Sequence, residues 1–273
     1  MTPISRRRLL IAGACAPLTG LAVAACATFP DASVAPAAAG GVEFVRRGAG
    51  APPVVLMHGL ADDMSTWGQV IDPLAALTTV IAYNRFGYGA SPGTGRTRDA
   101  VSISDELARF LDALSVDGPV ILVGHSLGGV YAQVHARRFP DAVAGMVLVD
   151  TTVPGQREML AGMPVQNALA TAAMAAKGST VRREFEDSGR AESQIDGLPP
   201  YRGGPVVMLT AGRDDPLASS AYASGRRQTM RRLAGQYGAH LQVVDSGHFI
   251  QRDRPSAVVE AVGAVLAGAR GRT

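Results

Sequence analysis

Cysteine is almost missing from this chain. Of 273 residues only Cys15 and Cys26 are cysteines, and both fall in or at the end of a leader-like N-terminal segment. The remainder therefore has no thiol, which excludes disulfides, thiolate catalysis and a Cys-ligated zinc there. An excess of one charge is missing too. Arg6, Arg7 and Arg8 stand in a leader without acidic residues, and setting those three aside leaves 23 basic residues against 23 acidic ones. That balance removes the electrostatic case for a nucleic-acid partner. The apolar run over residues 9–25 is interrupted by Gly13, Pro17, Thr19 and Gly20, too short and too broken for a membrane span. No G-x-G-x-x-G occurs, and no Lys-Ser/Thr pair follows a glycine loop, so phosphate-binding loops lose their signature.

What is present is concentrated in residues 120–131, Val-Ile-Leu-Val-Gly-His-Ser-Leu-Gly-Gly-Val-Tyr. Four β-prone apolar residues run into Gly124-His125-Ser126-Leu127-Gly128, and an apolar helical stretch follows directly. This reads as strand, one sharp turn and helix. A residue at the apex of such a turn must hold a strained backbone while presenting its side chain, and small residues two positions away on either side permit that. Ser126 occupies the apex, as in the G-x-S-x-G nucleophile elbow of α/β-hydrolases.

Other segments extend the resemblance to the α/β-hydrolase family across residues 42–267. Residues 42–46 suit a first strand and residues 53–57 a fully buried one, which ends at His58-Gly59 with Trp67 a few residues on. The resemblance implies that the backbone N–H groups of Leu60 and Leu127 form an oxyanion hole, and that His58 orients the turn. Thr66 with Gln69 suits a capping box for a helix running toward Leu77, and Trp67 reads as a core residue. Residues 79–83 form the next strand. The following Asn84-Arg85-Phe86-Gly87-Tyr88-Gly89-Ala90-Ser91 departs from the family's Asp-Arg-x-Gly-x-Gly-x-Ser by Asn84, at a position that is usually structural. Leu107, Phe110, Leu111 and Leu114 give a helical stripe. Residues 142–149 form another strand, ending at Asp150, and His135 is expected at an exposed helix end.

Residues 151–204 break the βα rhythm, and the resemblance implies a helical cap there. Its scattered Met159, Met163 and Met174, with Leu160, Val165 and Leu169, suit either the lining of an apolar substrate pocket or internal packing of the cap. The strand over residues 205–210 delivers Gly212-Arg213-Asp214-Asp215. The family places its acid three residues after this Gly, which favours Asp215, with Asp214 and Asp150 in reserve. Arg226, Arg227, Arg231 and Arg232 suit a solvated helix face. After the last strand, residues 241–244, comes Gly247-His248-Phe249, which matches the family's base. The chain order Ser126, Asp215, His248 is the order of this family.

The N-terminal segment resembles an exported lipoprotein's signal: a twin-arginine-like Ser5-Arg6-Arg7-Arg8-Leu9-Leu10, then Val23-Ala24-Ala25-Cys26, similar to a lipobox whose Cys is lipidated. Ordinary secretion or an uncleaved anchor are the alternatives. The organisation expected is a signal peptide over 1–25, a lipidated Cys26 with an Ala/Pro-rich tether over 26–41, and one α/β-hydrolase domain over 42–270. Its fold class is α/β, a mostly parallel sheet flanked by helices with the cap at about 151–204. The expected chemistry is cleavage of a carboxylic ester or lactone through an acyl-enzyme, with Ser126 as nucleophile, His248 as base and Asp215 as acid, and without cofactor or metal. Peptidase, carbon–carbon hydrolase and haloperoxidase chemistry, or ligand binding without turnover, remain open alternatives. The expected partners are a small ester-type molecule and, through a lipid anchor, an extracytoplasmic membrane surface.

Overall fold

The computed structural model describes residues 29–215 and 218–272. The leader, Cys15 and Cys26 lie outside the described residues. Eight strands form one sheet: β1 (Ser33–Val34), β2 (Glu43–Arg47), β3 (Val54–Met57), β4 (Val80–Tyr83), β5 (Val120–His125), β6 (Val143–Val149), β7 (Val206–Ala211) and β8 (His240–Val244). Their order is β1-β2-β4-β3-β5-β6-β7-β8. β1 and β2 are antiparallel to their neighbours, and every pair from β4 and β3 to β8 is parallel.

The central strands read as unbroken apolar runs because both sheet faces are covered. Side-chain alternation then divides them between two cores. Val55, Met57, Leu122, Met146 and Leu148 point into one, with Ile103, Leu107 and Phe110 of α2 (Ala100–Ala113) and Val130, Tyr131 and Val134 of α3 (Leu127–Arg138). Val54, Leu56, Ile121, Val123, Val147 and Val149 point into the other, with Val70, Ile71 and Leu74 of α1 (Gly68–Ala75) and Val258, Val262 and Val265 of α10 (Pro255–Arg270). Trp67 is fully buried in that second core, as its reading required.

Between β6 and β7 the chain inserts four helices: α4 (Gln156–Ala161), α5 (Pro164–Ala176), α6 (Ser179–Glu186) and α7 (Ser188–Gln194). α8 (Ser220–Tyr237) and α9 (Ile250–Asp253) complete the set. Among the described residues no helix is long and apolar enough to cross a membrane.

Three local expectations need correction. Asp63, not Thr66, caps the first helical turn by accepting from Ser65 N–H at 2.8 Å. Thr66 Oγ1 is instead taken by Gln251 Nε2 at 2.8 Å and Arg252 Nε at 3.0 Å. His135 is buried, not exposed, because α3 is covered by α2 and α7, and its Nδ1 lies 3.1 Å from Ser104 Oγ. Arg226 turns inward from α8, where it meets Asp150 as described below.

Asn84 has a physical account. Its Oδ1 accepts from Met64 N–H at 2.7 Å while its Nδ2 donates to Glu43 Oε2 at 2.6 Å. An aspartate there would face a second carboxylate instead of donating to it.

Candidate active site

The sheet places Ser126 by sequence necessity. β5 ends at His125 and α3 begins at Leu127, leaving one residue to reverse the chain. Ser126 does so at φ 52° and ψ −123°, a costly conformation for a residue with a side chain. The flanking glycines make the turn possible by close approach. A β-carbon on Gly128 would stand 2.3 Å from Met57 O, and one on Gly124 would stand 2.5 Å from Gly128 O. The neighbouring loops then lock the apex: Ser126 N–H donates to Val149 O at 3.1 Å, and Thr152 N–H donates to Ser126 O at 3.0 Å.

Because Met57 is in register with Gly124, residues 58–60 and 125–127 leave adjacent strands at the same edge of the sheet. A β-carbon on Gly59 would lie 3.2 Å from Ser126 Cβ. Leu60 follows that contact, and Leu127 is the first residue of α3, whose initial N–H groups have no acceptor within the helix. Leu60 and Leu127 thus follow strands that end at the same edge of the sheet. His58 orients the turn, as read from sequence. Its Nδ1–H donates to Gly59 O at 2.8 Å while Nε2 accepts from Arg85 N–H at 3.3 Å. Complete burial, reinforced by the Arg85 charge, pushes its imidazole well below the usual histidine range, so it is neutral.

His248 lies after β8, and its Nδ1–H donates to Asp150 Oδ2 at 2.7 Å. The expectation that Asp215 would hold this ring is therefore corrected: the partner is Asp150. β6 is hydrogen-bonded to β5, so its terminal residue emerges beside the elbow, and the left-handed φ of 41° at Asp150 turns it at that edge. Asp150 is buried, with Oδ1 accepting from Ala211 N–H at 2.8 Å and Thr210 Oγ1 at 3.3 Å. Asp214 and Asp215 stand exposed on the loop beyond β7, and Asp214 pairs with Arg227.

Two participants escaped sequence reasoning. Arg226 Nη2 reaches the same Oδ2 of Asp150 at 3.0 Å and also donates to Asp150 O at 3.3 Å. Its position could have been found, since Ala223, Arg226, Met230, Leu233 and Tyr237 follow helical spacing and the other four are buried. Burial alone would raise the Asp150 pKa, but the hydrogen bond from His248, the Arg226 charge and the Ala211 amide outweigh it. The carboxyl is held below the usual aspartate range. The second participant is His125. It is buried, which drives its pKa well down, and so as a neutral ring its Nε2–H donates to His248 O at 3.0 Å. The residue preceding the elbow serine thereby anchors the loop that carries the imidazole.

A cavity of about 480 Å³ reaches Asp150 and His248. Its described walls include Gln156 of α4, Tyr222 and Arg226 of α8, and Phe249, so charged and apolar side chains share the lining. Met159 instead packs against the core, and among the described residues none of Met159, Met163 and Met174 lines this cavity. The side chains of Val165 and Leu169 lie outside the described residues.

Comparison with known proteins agrees with this architecture. The alpha/beta hydrolase family model matches residues 54–261, so the chain belongs to the alpha/beta hydrolase family. It is similar to Esterase Rv0045c of Mycobacterium tuberculosis, 26% identical over 272 residues that cover 84% of this chain and 87% of that protein. It is also similar to the dihydrolipoyllysine-residue acetyltransferase component of the acetoin cleaving system of Cupriavidus necator, 27% identical over 219 residues, 76% of this chain and 56% of that one. The chain spans between 23% and 56% of the length of several curated relatives it matches. A solved thermophilic esterase from Thermogutta terrifontis shares the fold, with a TM-score of 0.63 at 22% identity over 86% of this chain and 97% of that one.

Proposed function

We propose that this protein is a serine hydrolase acting on a carboxylic ester or lactone. The observation that carries the reading is the strained Ser126 apex together with a His248 ring that lies 4.6 Å from the ring of the preceding His125 and whose Nδ1–H is held by buried Asp150. With Nδ1 committed as a donor, Nε2 is the free base. It takes the Ser126 proton as Oγ attacks the carbonyl, and returns it to the leaving alcohol. Asp150 stabilises the imidazolium formed in that step. The Leu60 and Leu127 N–H groups receive the oxyanion, where losing one such donor typically costs about 2.7–4 kcal/mol. Water activated by His248 then releases the acyl group. Esterase relatives support the reaction class.

The test is hydrolysis of p-nitrophenyl butyrate by the full chain, with fluorophosphonate labelling. Wild type should turn over and be labelled at Ser126. Ser126→Ala should lose both, by about 10⁴- to 10⁶-fold in kcat. A wild-type protein that binds esters tightly without turnover would overturn the enzyme reading in favour of a binding protein.

The leader carries a second part of the proposal: export, with lipidation at Cys26 tethering the hydrolase domain to an extracytoplasmic membrane surface. The tether is shorter than the expected 26–41, since β1 joins the sheet and Ala35 and Ala39 pack in the core. Cys26→Ser should move the protein from the membrane to the soluble fraction. Retention on the membrane would refute the anchor.

A further inference from the structure

A buried ionic linkage runs from the inserted helices to the turn that carries Leu60. Arg85 lies on the loop after β4 with its side chain 1% exposed. Its Nη1 donates to His58 O at 2.6 Å and its Nη2 to Gly59 O at 3.0 Å. The same Nη2 meets Glu184 Oε1 of α6 at 2.6 Å, and that carboxylate is fully buried. Glu184 is itself steadied by Arg98, whose Nε lies 3.7 Å from Oε2, and Arg98 pairs with Glu106 of α2 at 2.8 Å. The rings of Tyr88 and Tyr131 sit 5.0 and 5.1 Å from the Arg85 guanidinium carbon, so the cation is also held across its faces.

The chemistry of one peptide unit gives this linkage its meaning. Gly59 C=O and Leu60 N–H belong to the same planar trans peptide, in which the two groups point in opposite directions. Whatever fixes the carbonyl therefore fixes the amide. Gly59 O receives two donors, His58 Nδ1–H at 2.8 Å and Arg85 Nη2 at 3.0 Å, enough to occupy both of its lone pairs. Ion pairs this deep gain little net stability, because desolvation offsets their attraction. A positional role accounts for the arrangement better than a stabilising one.

We infer that Arg85, held in place by Glu184 of the inserted helices, is a positioning residue that aims the Leu60 N–H at the oxyanion, so that the insertion acts on the chemical step as well as on access. The inference rests on the serine-hydrolase reading. A planar fork is needed to grip two successive carbonyls while meeting a carboxylate, and lysine cannot reproduce it.

The experiment compares wild type, Arg85→Lys and Glu184→Gln in the full chain on p-nitrophenyl butyrate, together with inhibition by a trifluoromethyl ketone, whose hydrated or serine-bound form mimics the oxyanion. Arg85→Lys should lower kcat about 10- to 100-fold with KM within about threefold, a fraction of the loss expected for deleting one donor outright. Glu184→Gln, one contact further away, should lower kcat about 3- to 10-fold. Ketone affinity should fall in step with kcat, whereas binding of the product acid should not change. If Arg85→Lys does not fold, the Glu184→Gln data decide in the same terms. Unchanged kcat in a folded variant, or a loss confined to KM, would overturn the inference while leaving the hydrolase reading intact. An inactive, unlabelled wild type would overturn both.

Discussion

β6 and β7 are neighbouring parallel strands, each followed within a few residues by aspartate, and the two loops put those carboxylates in opposite surroundings. After β6 the chain turns at once, and Asp150 is 2% exposed with His248, Arg226 and the Ala211 amide around it. After β7 the chain runs outward, and Asp214 and Asp215 are exposed, Asp214 beside Arg227. Sequence spacing favoured the second loop, since Asp215 stands three residues beyond Gly212 as the family pattern asks. What separates them is adjacency to the elbow: β6 is hydrogen-bonded to β5 and β7 is one strand further away. A carboxylate buried beside a histidine with several donors stays ionised and can hold a ring, whereas an exposed one is screened by water.

The sharpest way to break this comparison is to remove each carboxylate's charge in turn. Asp150→Asn should lower kcat/KM about 10³- to 10⁴-fold, because the ring loses both its orientation and the charge that stabilises the imidazolium. Asp215→Asn should cost less than about tenfold. If steady-state kinetics give the opposite ranking, the loop after β7 supplies the acid in the working enzyme and the assignment fails.

A second buried group tests the contrast between inside and outside through stability. Burial depresses the His135 pKa to about 4, with the neighbouring Arg138 charge acting in the same direction. The native state therefore holds this ring neutral while the unfolded chain protonates near the ordinary value of about 6.5. Stability is full above that value and falls as pH drops toward 4, by about 3 kcal/mol from this residue. Urea unfolding across pH 6.5 to 4 should show that slope, and His135→Gln should flatten it. An unchanged slope would mean that the ring is hydrated in the native state.

The smallest effect concerns what keeps Asp150 inside. Arg226→Gln removes a charge-assisted bond to Oδ2 and the donors to the carbonyls of Asp150 and Thr151, so unfolding free energy should fall by about 1.5–3 kcal/mol. Arg226→Lys should restore part of it. A change near zero would show that Asp150 is held by His248 and the Ala211 amide alone.

Much of this was legible in residue order. The elbow was legible because the constraint is local: a strand, one residue and a helix need glycines at fixed positions, and Gly124 and Gly128 meet backbone atoms at distances no β-carbon tolerates. The buried strands were legible as apolar runs, and His248 by its place after the last strand. Arg85 and Glu184 were not, since they are 99 residues apart and nothing local marks a charged side chain that will be buried. Arg226 carried a signal in its helical spacing, but an arginine pair is ordinarily a solvated face, and the ordinary reading prevailed.

The sequence by itself determined the central strands, their order along the chain and the serine at the apex, because strand, turn and helix signals act over a few residues; β1, which falls in the expected tether, was not among them. Only the tertiary structure decided which aspartate faces His248, that Arg226 points inward, and that the inserted helices reach the Gly59–Leu60 peptide. Those outcomes depend on which strands are neighbours and which charges find a partner when water is removed. Both conditions arise only once distant segments pack together.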